Sequence, residues 1–253
     1  MSDIIVQVRD LRKSFGEQQV LRGVDLDIVR GGVTTIIGGS GSGKSVLVKH
    51  IIGLLKPDSG AILYEGTDIT KLAPKALTPV RNNFGMLFQQ SALFDSMTVE
   101  ENIAFPLIEH TKKSQKEIRE IVKEKLRLLG LEGIERKTPA ELSGGMRKRV
   151  ALARAIVLNP QVIIYDEPTT GLDPLMTLNV DNMIKETQEK LKVTAIVISH
   201  DMASVFRISD KIAMLYKGEI VEYGDPGVFM DTDKAVVRDF LAASSSPHVR
   251  SVV

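Results

Sequence analysis

Hydrophobic and polar residues alternate through the first ~35 positions at the spacing of half-buried strands. Val24, Leu26 and Ile28 are separated by aspartates, and side chains two residues apart lie on the same face of a strand. Residues 33–37 are instead predicted to form a buried strand. The run then enters a glycine-rich loop at Gly38.

The middle of the chain changes to helical spacing. Apolar residues recur between Ile118 and Leu129 with charges between them, and Gly130 is placed to end that helix. A second helix is predicted from Gly144 to Leu158, just before a proline. We therefore predict a helical insert at about residues 95–160.

Strands and helices alternate again after the insert. Such alternation favours a parallel sheet covered by helices on both faces, closed here by a hairpin. The predicted strands are 162–165 and 194–199, the helices are 174–190 and 201–208, and the hairpin turn is Lys217-Gly218.

Composition narrows the class of protein. The chain has 253 residues, of which 43% are hydrophobic and 26% charged, so we expect one large globular domain or one domain with an insert. The formal net charge of +1 argues against nucleic-acid binding by bulk positive charge. Because there is no cysteine, thiol catalysis and thiolate metal sites are excluded. No secretory signal or membrane span is expected.

The glycine-rich loop has the pattern of a phosphate-binding loop. Its sequence is Gly38-Gly39-Ser40-Gly41-Ser42-Gly43-Lys44-Ser45. Glycines allow successive backbone N–H groups to face an anion, and the following helix adds partial positive charge. We expect Lys44 to reach the β- and γ-phosphates and the Ser45 hydroxyl to bind Mg²⁺. A flexible surface turn is the alternative, which the strand–loop–helix context disfavours.

Two acids end the next apolar strand. Asp166 and Glu167 follow residues 162–165, which places them at the carboxyl edge of the sheet beside the phosphate loop. We expect Asp166 to hold the Mg²⁺ shell and Glu167 to orient or deprotonate the attacking water. The alternative is that both acids only cap the following helix.

A second candidate anion site distinguishes this chain from other phosphate-loop proteins. Leu142-Ser143-Gly144-Gly145-Met146, here called the signature segment, places a hydroxyl and bare backbone N–H groups at a helix start. This segment resembles the signature of ATP-binding cassette (ABC) ATPases. Matching motifs then follow in order over residues 4–240: Phe15 for adenine stacking, Gln89 for the Q-loop, Asp173 in the D-loop and His200 as the switch histidine.

The resemblance implies a fold and a mode of assembly. The fold is an α/β P-loop NTPase cassette with a RecA-like parallel sheet core, an N-terminal antiparallel β-subdomain and an inserted α-helical subdomain, spanning residues 4–243. The assembly is a head-to-tail homodimer that holds two ATP molecules with Mg²⁺, so that Ser143, Gly144 and Gly145 contact the ATP of the other subunit. Met146 replaces the usual Gln, and Phe15 replaces the commoner Tyr.

The resemblance also assigns site residues. It implies a catalytic role for Glu167, His200, Gln89 and Lys44. It implies that Mg²⁺ is bound by Ser45, Gln89 and Asp166. ATP contacts are implied for Phe15, for residues 38–45, for Ser143, Gly144 and Gly145, and for Asp173.

A subunit of a membrane transporter is the expected role, since we find no second phosphate loop and no heptad run. The region from Met86 to His110 and the signature segment look most like the ATPase of the Mla phospholipid-transport system. That resemblance implies an integral membrane permease (MlaE-like), a STAS-domain subunit (MlaB-like) and an MCE-domain substrate-binding protein (MlaD-like), with the chain peripheral at the cytoplasmic face of the bacterial inner membrane. An importer ATPase for amino acids or similar small solutes is the alternative.

Several residues have less specific roles. Phe94 and Met97 are candidates for the groove that receives the permease. His50, His110 and His248 are expected to be surface or packing residues. The basic residues of the 144–158 helix, Arg147, Lys148, Arg149 and Arg154, are expected on a solvated face with ion pairs. Residues 244–253 are predicted to be a flexible or partner-binding tail, with mobility expected from Ala242 onward.

The sequence leaves two competing functions open. A stand-alone phosphoryl transferase predicts turnover that does not depend on residues 142–145. A regulatory cassette predicts ATP binding without transport.

Overall fold

Ten strands form two sheets in the part of the chain that the computed structural model describes, residues 3–89 and 91–244. The strands are β1 (Ile4–Phe15), β2 (Gln18–Val29), β3 (Val33–Ile37), β4 (Ser59–Tyr64), β5 (Thr67–Asp68), β6 (Phe84–Leu87), β7 (Val162–Asp166), β8 (Thr194–Ile198), β9 (Lys211–Tyr216) and β10 (Glu219–Gly224). The helices are α1 (Lys44–Ile51), α2 (Pro74–Arg81), α3 (Val99–His110), α4 (Gln115–Leu128), α5 (Gly144–Ile156), α6 (Pro174–Leu191), α7 (Met202–Ile208), α8 (Pro226–Met230) and α9 (Ala235–Ser244).

The larger sheet is parallel except at one edge. Its order is β10-β9-β3-β8-β7-β6, and only the β9–β10 hairpin is antiparallel. Every residue of β3 and β8 is buried, because helices cover both faces of a parallel sheet. The predicted parallel sheet and the hairpin at Lys217-Gly218 are confirmed.

The smaller sheet is antiparallel and lies against the first helix. Its order is β2-β1-β4-β5. Val24, Leu26 and Ile28 of β2 are buried as the alternating pattern predicts, and they share one core with Leu47 and Ile51 of α1. This core fixes the position of the helix that begins at the phosphate loop.

The helical insert forms a separate core. Helices α3, α4 and α5 pack around buried residues that include Val99, Val122 and Val150. Helices α3 and α4 both begin with a capping box, in which the hydroxyl of Thr98 or Ser114 and a glutamate three residues later bond each other's backbone N–H groups. The predicted insert is confirmed, with an additional helix, α3, near its start.

The prediction for the basic residues of α5 is confirmed for the exposure of Arg147 and Arg149 and is wrong for the ion pairs. Among the described residues, none of the four basic side chains between 147 and 154 forms an ion pair. Lys148 instead donates to the carbonyl of Pro168, and Arg154 donates to the carbonyls of Ser91 and Ala92. Backbone carbonyls compete for these donors, and sequence spacing does not reveal such partners.

The prediction for the end of the chain is wrong in part. Residues 242–244, expected to be mobile, form the last turn of α9. The other residues of the predicted tail, 245–253, and His248 lie outside the described residues. Within the described part of the chain, no helix is both long enough and apolar enough to cross a membrane.

Candidate functional site

The predicted site residues follow four adjacent strands that end at one edge of the large sheet. In spatial order they are β3, β8, β7 and β6. Lys44 follows β3, His200 follows β8, Asp166 and Glu167 lie at the end of β7, and Gln89 follows β6. Because these strands are parallel, their carboxyl ends meet at the same edge. The topology therefore brings five residues from distant parts of the sequence into one region.

The phosphate loop is tightly curled. Gly38 has φ 150°, and a Cβ at this position would lie 2.2 Å from the carbonyl oxygen of Leu215, so a side chain cannot fit. The ammonium group of Lys44 donates to the carbonyls of Gly38 and Gly39 at 2.8 and 3.1 Å. Burial lowers the pKa of Lys44, and the negative charges of Glu167 and Asp166 oppose that shift. The loop thus keeps a partly desolvated cation at its centre.

The loop residues fit a phosphate chain. The hydroxyl oxygen of Ser42 is buried and has no hydrogen-bond partner among the described residues, and a buried polar group without a partner costs free energy that a bound anion can recover. The first turn of α1 contains no acidic residue, so its positive end is free to attract an anion.

The neighbouring oxygen donors fit Mg²⁺. Ser45, Asp166 and Gln89 supply a hydroxyl, a carboxylate and an amide, which are ligands suited to a hard cation. Burial and, next, the charge of Glu167 raise the pKa of Asp166, a penalty that a bound cation would reduce. No group of three or more His, Cys, Asp or Glu side chains able to hold a metal occurs among the described residues. Phosphate oxygens and water would have to complete such a shell.

Glu167 and His200 are in direct contact. The Nδ1 atom of His200 lies 2.7 Å from Oε2 of Glu167, and the Thr170 hydroxyl donates to the same oxygen at 2.9 Å. Glu167 has φ 50°, and its N–H donates to the carbonyl of Ile198. A left-handed glutamate at a sheet edge is held by such tertiary contacts. Sequence analysis predicted Glu167 and His200 as site residues but missed Thr170. The only sequence signal for Thr170 is a hydroxyl three residues after the glutamate.

The signature segment and the D-loop aspartate occupy helix starts. Ser143 caps α5 by accepting a hydrogen bond from the N–H of Met146 at 3.3 Å, and Asp173 caps α6 by accepting from the N–H of Met176 at 2.9 Å. Ser143 and Gly144 are exposed. A Cβ at Gly145 would lie 3.7 Å from the Met176 side chain, which places the two helix starts side by side. The roles of Ser143, Gly144, Gly145 and Asp173 toward ATP stay predictions.

Phe15 has a free aromatic face at the end of β1. Its side chain is 48% exposed, and the ammonium group of Lys13 lies 5.5 Å from the ring centre. An exposed ring beside a cation can stack on a planar base. Adenine stacking by Phe15 stays a prediction.

An aromatic groove lies beside the segment that follows Gln89. It is a cavity of about 610 Å³ lined by Phe88, Phe94, Phe105 and His110 among other residues. The rings of Phe94 and Phe105 are 5.2 Å apart. Phe94 lines this groove and Met97 does not, and the role of either residue in receiving a permease stays a prediction.

Comparison with known proteins supports one family. A family model described as "ABC transporter" matches residues 21–170. The chain is 46% identical over 238 residues to "Probable ribonucleotide transport ATP-binding protein mkl" of Mycobacterium leprae, which covers 94% of this chain and 69% of that protein. It is 39% identical over 250 residues to "Intermembrane phospholipid transport system ATP-binding protein MlaF" of Haemophilus influenzae, which covers 99% of this chain and 95% of that protein.

A solved structure supports the fold and the ligand. The chain matches the "Dimeric structure of a post-hydrolysis state of the ATP-binding cassette MJ0796 bound to ADP and Pi" with a TM-score of 0.76 and 32% identity, covering 87% of this chain and 98% of that one. The chain spans about two thirds of the length of several mycobacterial relatives, at 66%.

Proposed function

Because the chain belongs to the ABC transporter family as its ATP-binding and ATP-hydrolysing cassette, we propose that two copies of it drive phospholipid transport through a separate membrane permease. Such cassettes bind ATP with Mg²⁺, and in this proposal both are held at the phosphate loop.

The dimer part of the proposal rests on the exposure of the signature segment. Ser143 and Gly144 are exposed at a capped helix start, while Lys44, Asp166, Glu167 and His200 already meet at the sheet edge of the same chain. A head-to-tail pair would use the exposed N–H groups of one chain against the phosphates held by the other. Closure then depends on ATP being present, and its hydrolysis opens the pair.

Each residue of the sheet edge has a distinct task in this proposal. Lys44 binds the β- and γ-phosphates, and Ser45, Asp166 and Gln89 hold Mg²⁺, which neutralises phosphate charge when bound. Glu167 accepts a proton from the attacking water or orients it. The Nδ1 atom of His200 lies 2.7 Å from Oε2 of Glu167, and its other ring nitrogen, Nε2, would hydrogen-bond the γ-phosphate.

Phospholipid is the favoured cargo because of the length of the match to MlaF. That relative aligns over 99% of this chain and 95% of its own length, and it is named as the ATP-binding protein of an intermembrane phospholipid transport system. The partners would then be a permease (MlaE-like), a STAS-domain subunit (MlaB-like) and an MCE-domain protein (MlaD-like). The chain would be peripheral on the cytoplasmic side of the bacterial inner membrane, with Phe94 and the aromatic groove facing the permease.

A small-solute importer is the second candidate. The relative with 46% identity carries a ribonucleotide transport name. The two candidates differ in what must cross or leave the membrane, so a transport assay separates them.

The test uses the complex isolated from native membranes through a tag on this chain. The complex is reconstituted in proteoliposomes with fluorescent phospholipid, and ATP-dependent lipid transfer and radiolabelled ribonucleotide or amino-acid uptake are measured in parallel. The matched control is the Glu167→Gln complex. We expect lipid transfer that this variant abolishes. Solute uptake that it abolishes, without lipid transfer, contradicts the phospholipid proposal.

A further inference from the structure

The chain takes an unfavourable backbone conformation just after the Q-loop glutamine. Ser91 and Ala92 have φ 63° and 45°, so two consecutive non-glycine residues are left-handed. Side chains with a Cβ disfavour this conformation, which persists only where surrounding contacts enforce it. Some part of the molecule must therefore hold Ser91 and Ala92 in place.

Arg154 of α5 makes those contacts. Its guanidinium donates to the carbonyl oxygen of Ala92 at 2.8 Å and to that of Ser91 at 3.0 Å. The guanidinium carbon also lies 5.7 Å from the centre of the Phe94 ring. No carboxylate in the described parts of the chain pairs with this cation. The planar guanidinium thus uses its paired donors on the consecutive carbonyls of two left-handed residues.

Asn102 of α3 fastens the other end of the same segment. Its side chain is fully buried and accepts a hydrogen bond from the N–H of Phe94 at 2.8 Å. It also donates to the carbonyls of Phe94, Met97 and Thr98 at 3.0–3.2 Å. Asn102 therefore fixes the distal end, while the proximal end is held by Arg154 and by the N–H of Ser91, which donates to the carbonyl of Phe88 at 2.9 Å.

Arg154 and the signature segment belong to one rigid element. Helix α5 begins at Gly144, directly after Ser143, and runs through Arg154. A displacement of the helix start is therefore transmitted along about three turns to the guanidinium. This connects an exposed surface of the chain with the backbone beside Gln89.

We propose that Arg154 is a positioning residue for Gln89. It holds Ser91 and Ala92 in the left-handed conformation that keeps Gln89 at the sheet edge, and it passes movement of α5 to that segment. Arg154 contacts backbone carbonyls and an aromatic ring. It therefore acts on the site indirectly, by setting the position of Gln89. This inference rests on the Mg²⁺ role given to Gln89 in the proposed function.

Replacing Ala92 by glycine tests whether Arg154 acts by holding the left-handed backbone or only by packing. Glycine adopts the left-handed conformation without the Cβ penalty, so Ala92→Gly should compensate for a lost Arg154. The variants are Arg154→Met, Arg154→Lys, Ala92→Gly and the double variant Arg154→Met/Ala92→Gly, all in the full chain. Arg149→Met, an exposed arginine on the same helix, is the matched control. The readouts are kcat and the KM for Mg²⁺ of ATP hydrolysis, and amide hydrogen exchange at Ser91 without nucleotide.

We expect Arg154→Met to accelerate exchange at Ser91 about tenfold, to lower kcat about tenfold and to raise the KM for Mg²⁺ severalfold. Ala92→Gly should recover at least a third of kcat in that background, and Arg149→Met should match the parent. If Arg154→Met does not fold, Arg154→Lys decides, since a lysine keeps the charge but not the paired donors. It should show the same changes, smaller in size.

Two results would overturn the proposal. One is a folded Arg154 variant with parental exchange at Ser91 or parental kcat. The other is a folded double variant without glycine rescue. The proposed function would fail under a different result, namely ATP hydrolysis at the parental rate in the Glu167→Gln variant. Hydrogen exchange at Ser91 is independent of that result.

Discussion

At the scale of single residues, Glu167 has the most specific surroundings in the site. Both described hydrogen bonds to its carboxylate, from His200 and Thr170, go to Oε2. The other oxygen is left for a water molecule. A glutamine at this position keeps the shape and can still accept from Thr170, but it cannot take a proton.

We therefore predict that Glu167→Gln lowers kcat for ATP hydrolysis by about 10²–10⁴-fold, the usual contribution of a general base. ATP affinity should stay within about threefold of the parent, because Lys44 and the phosphate loop are unchanged. Steady-state ATPase assays and equilibrium binding of a fluorescent ATP analogue check both. Hydrolysis at the parental rate would show that Glu167 does not have this role.

His50 allows a pH prediction because it is buried on α1. Its exposure is 1%, Nδ1 lies 2.7 Å from the carbonyl oxygen of Val46, and burial lowers the pKa of its imidazole below 6.5. The unfolded chain therefore binds more protons than the folded chain just below pH 6.5, so stability falls as the pH falls through this region.

Urea unfolding at pH 7 and pH 5 tests this. The parent should lose stability at pH 5, and His50→Leu should lose distinctly less, because a leucine cannot take up the proton. His110→Gln, which changes an exposed histidine, should keep the parental loss. An equal loss in the parent and in His50→Leu contradicts the assignment.

Sequence reasoning predicted which residues meet at the sheet edge because each follows an apolar strand or a glycine-rich loop. It did not find Thr170, Lys148 or the true partners of Arg154. Those contacts depend on tertiary placement: Lys148 and Arg154 use backbone carbonyls, which carry no signal in the residue types. Left-handed φ angles at Glu167 and Ala92 are likewise a consequence of the folded surroundings.

At the scale of elements, α6 and α7 are joined by a buried carboxylate. Asp181 of α6 is 1% exposed and accepts hydrogen bonds from Ser204 and Arg207 of α7. Burial raises the pKa of Asp181, and its two donors oppose that shift. Helix α7 follows His200 and α6 follows Asp173, so this joint fixes two segments that border the site.

Asp181→Ala should lower the free energy of unfolding by about 2 kcal/mol, since it leaves buried donors without an acceptor. This corresponds to a melting temperature about 4–8 °C lower in a chain of this size. Glu186→Ala, which removes the exposed partner of Lys190 on the same helix, should change it by less than about 1 kcal/mol. Equal effects in thermal unfolding would argue against the joint.

Elements with regular periodicity were predictable, and the exceptions have physical reasons. Helix α3 contains Pro106 and buries the polar Asn102, so its apolar spacing is irregular. The Thr98 capping box was the available signal. The ion pairs predicted for α5 are absent among the described residues, where Lys148 and Arg154 bond backbone carbonyls instead. Helix α9 was not predicted, although its apolar residues recur at helical spacing and pack against one core: Val236, Val237, Phe240 and Leu241.

At the scale of the whole molecule, the order of motifs predicted the family and the two sheets, and the structure adds how they meet. A parallel sheet brings Lys44, Asp166, Glu167, His200 and Gln89 to one edge. The signature segment lies on the insert side, on a separate core. Which groups of a second copy meet this edge is implied by the family resemblance alone, because that contact exists only in an assembly.

The central claim is that two copies close around ATP, with the signature segment of each facing the phosphate loop of the other. The most direct measurement is the solution mass of the Glu167→Gln chain by light scattering, with and without ATP·Mg²⁺. We predict the mass of one chain, 27.8 kDa, without nucleotide and twice that mass with it. Adding Ser143→Glu should prevent the doubling while ATP still binds. A single-chain mass with ATP bound, or a doubling that survives Ser143→Glu, contradicts the account.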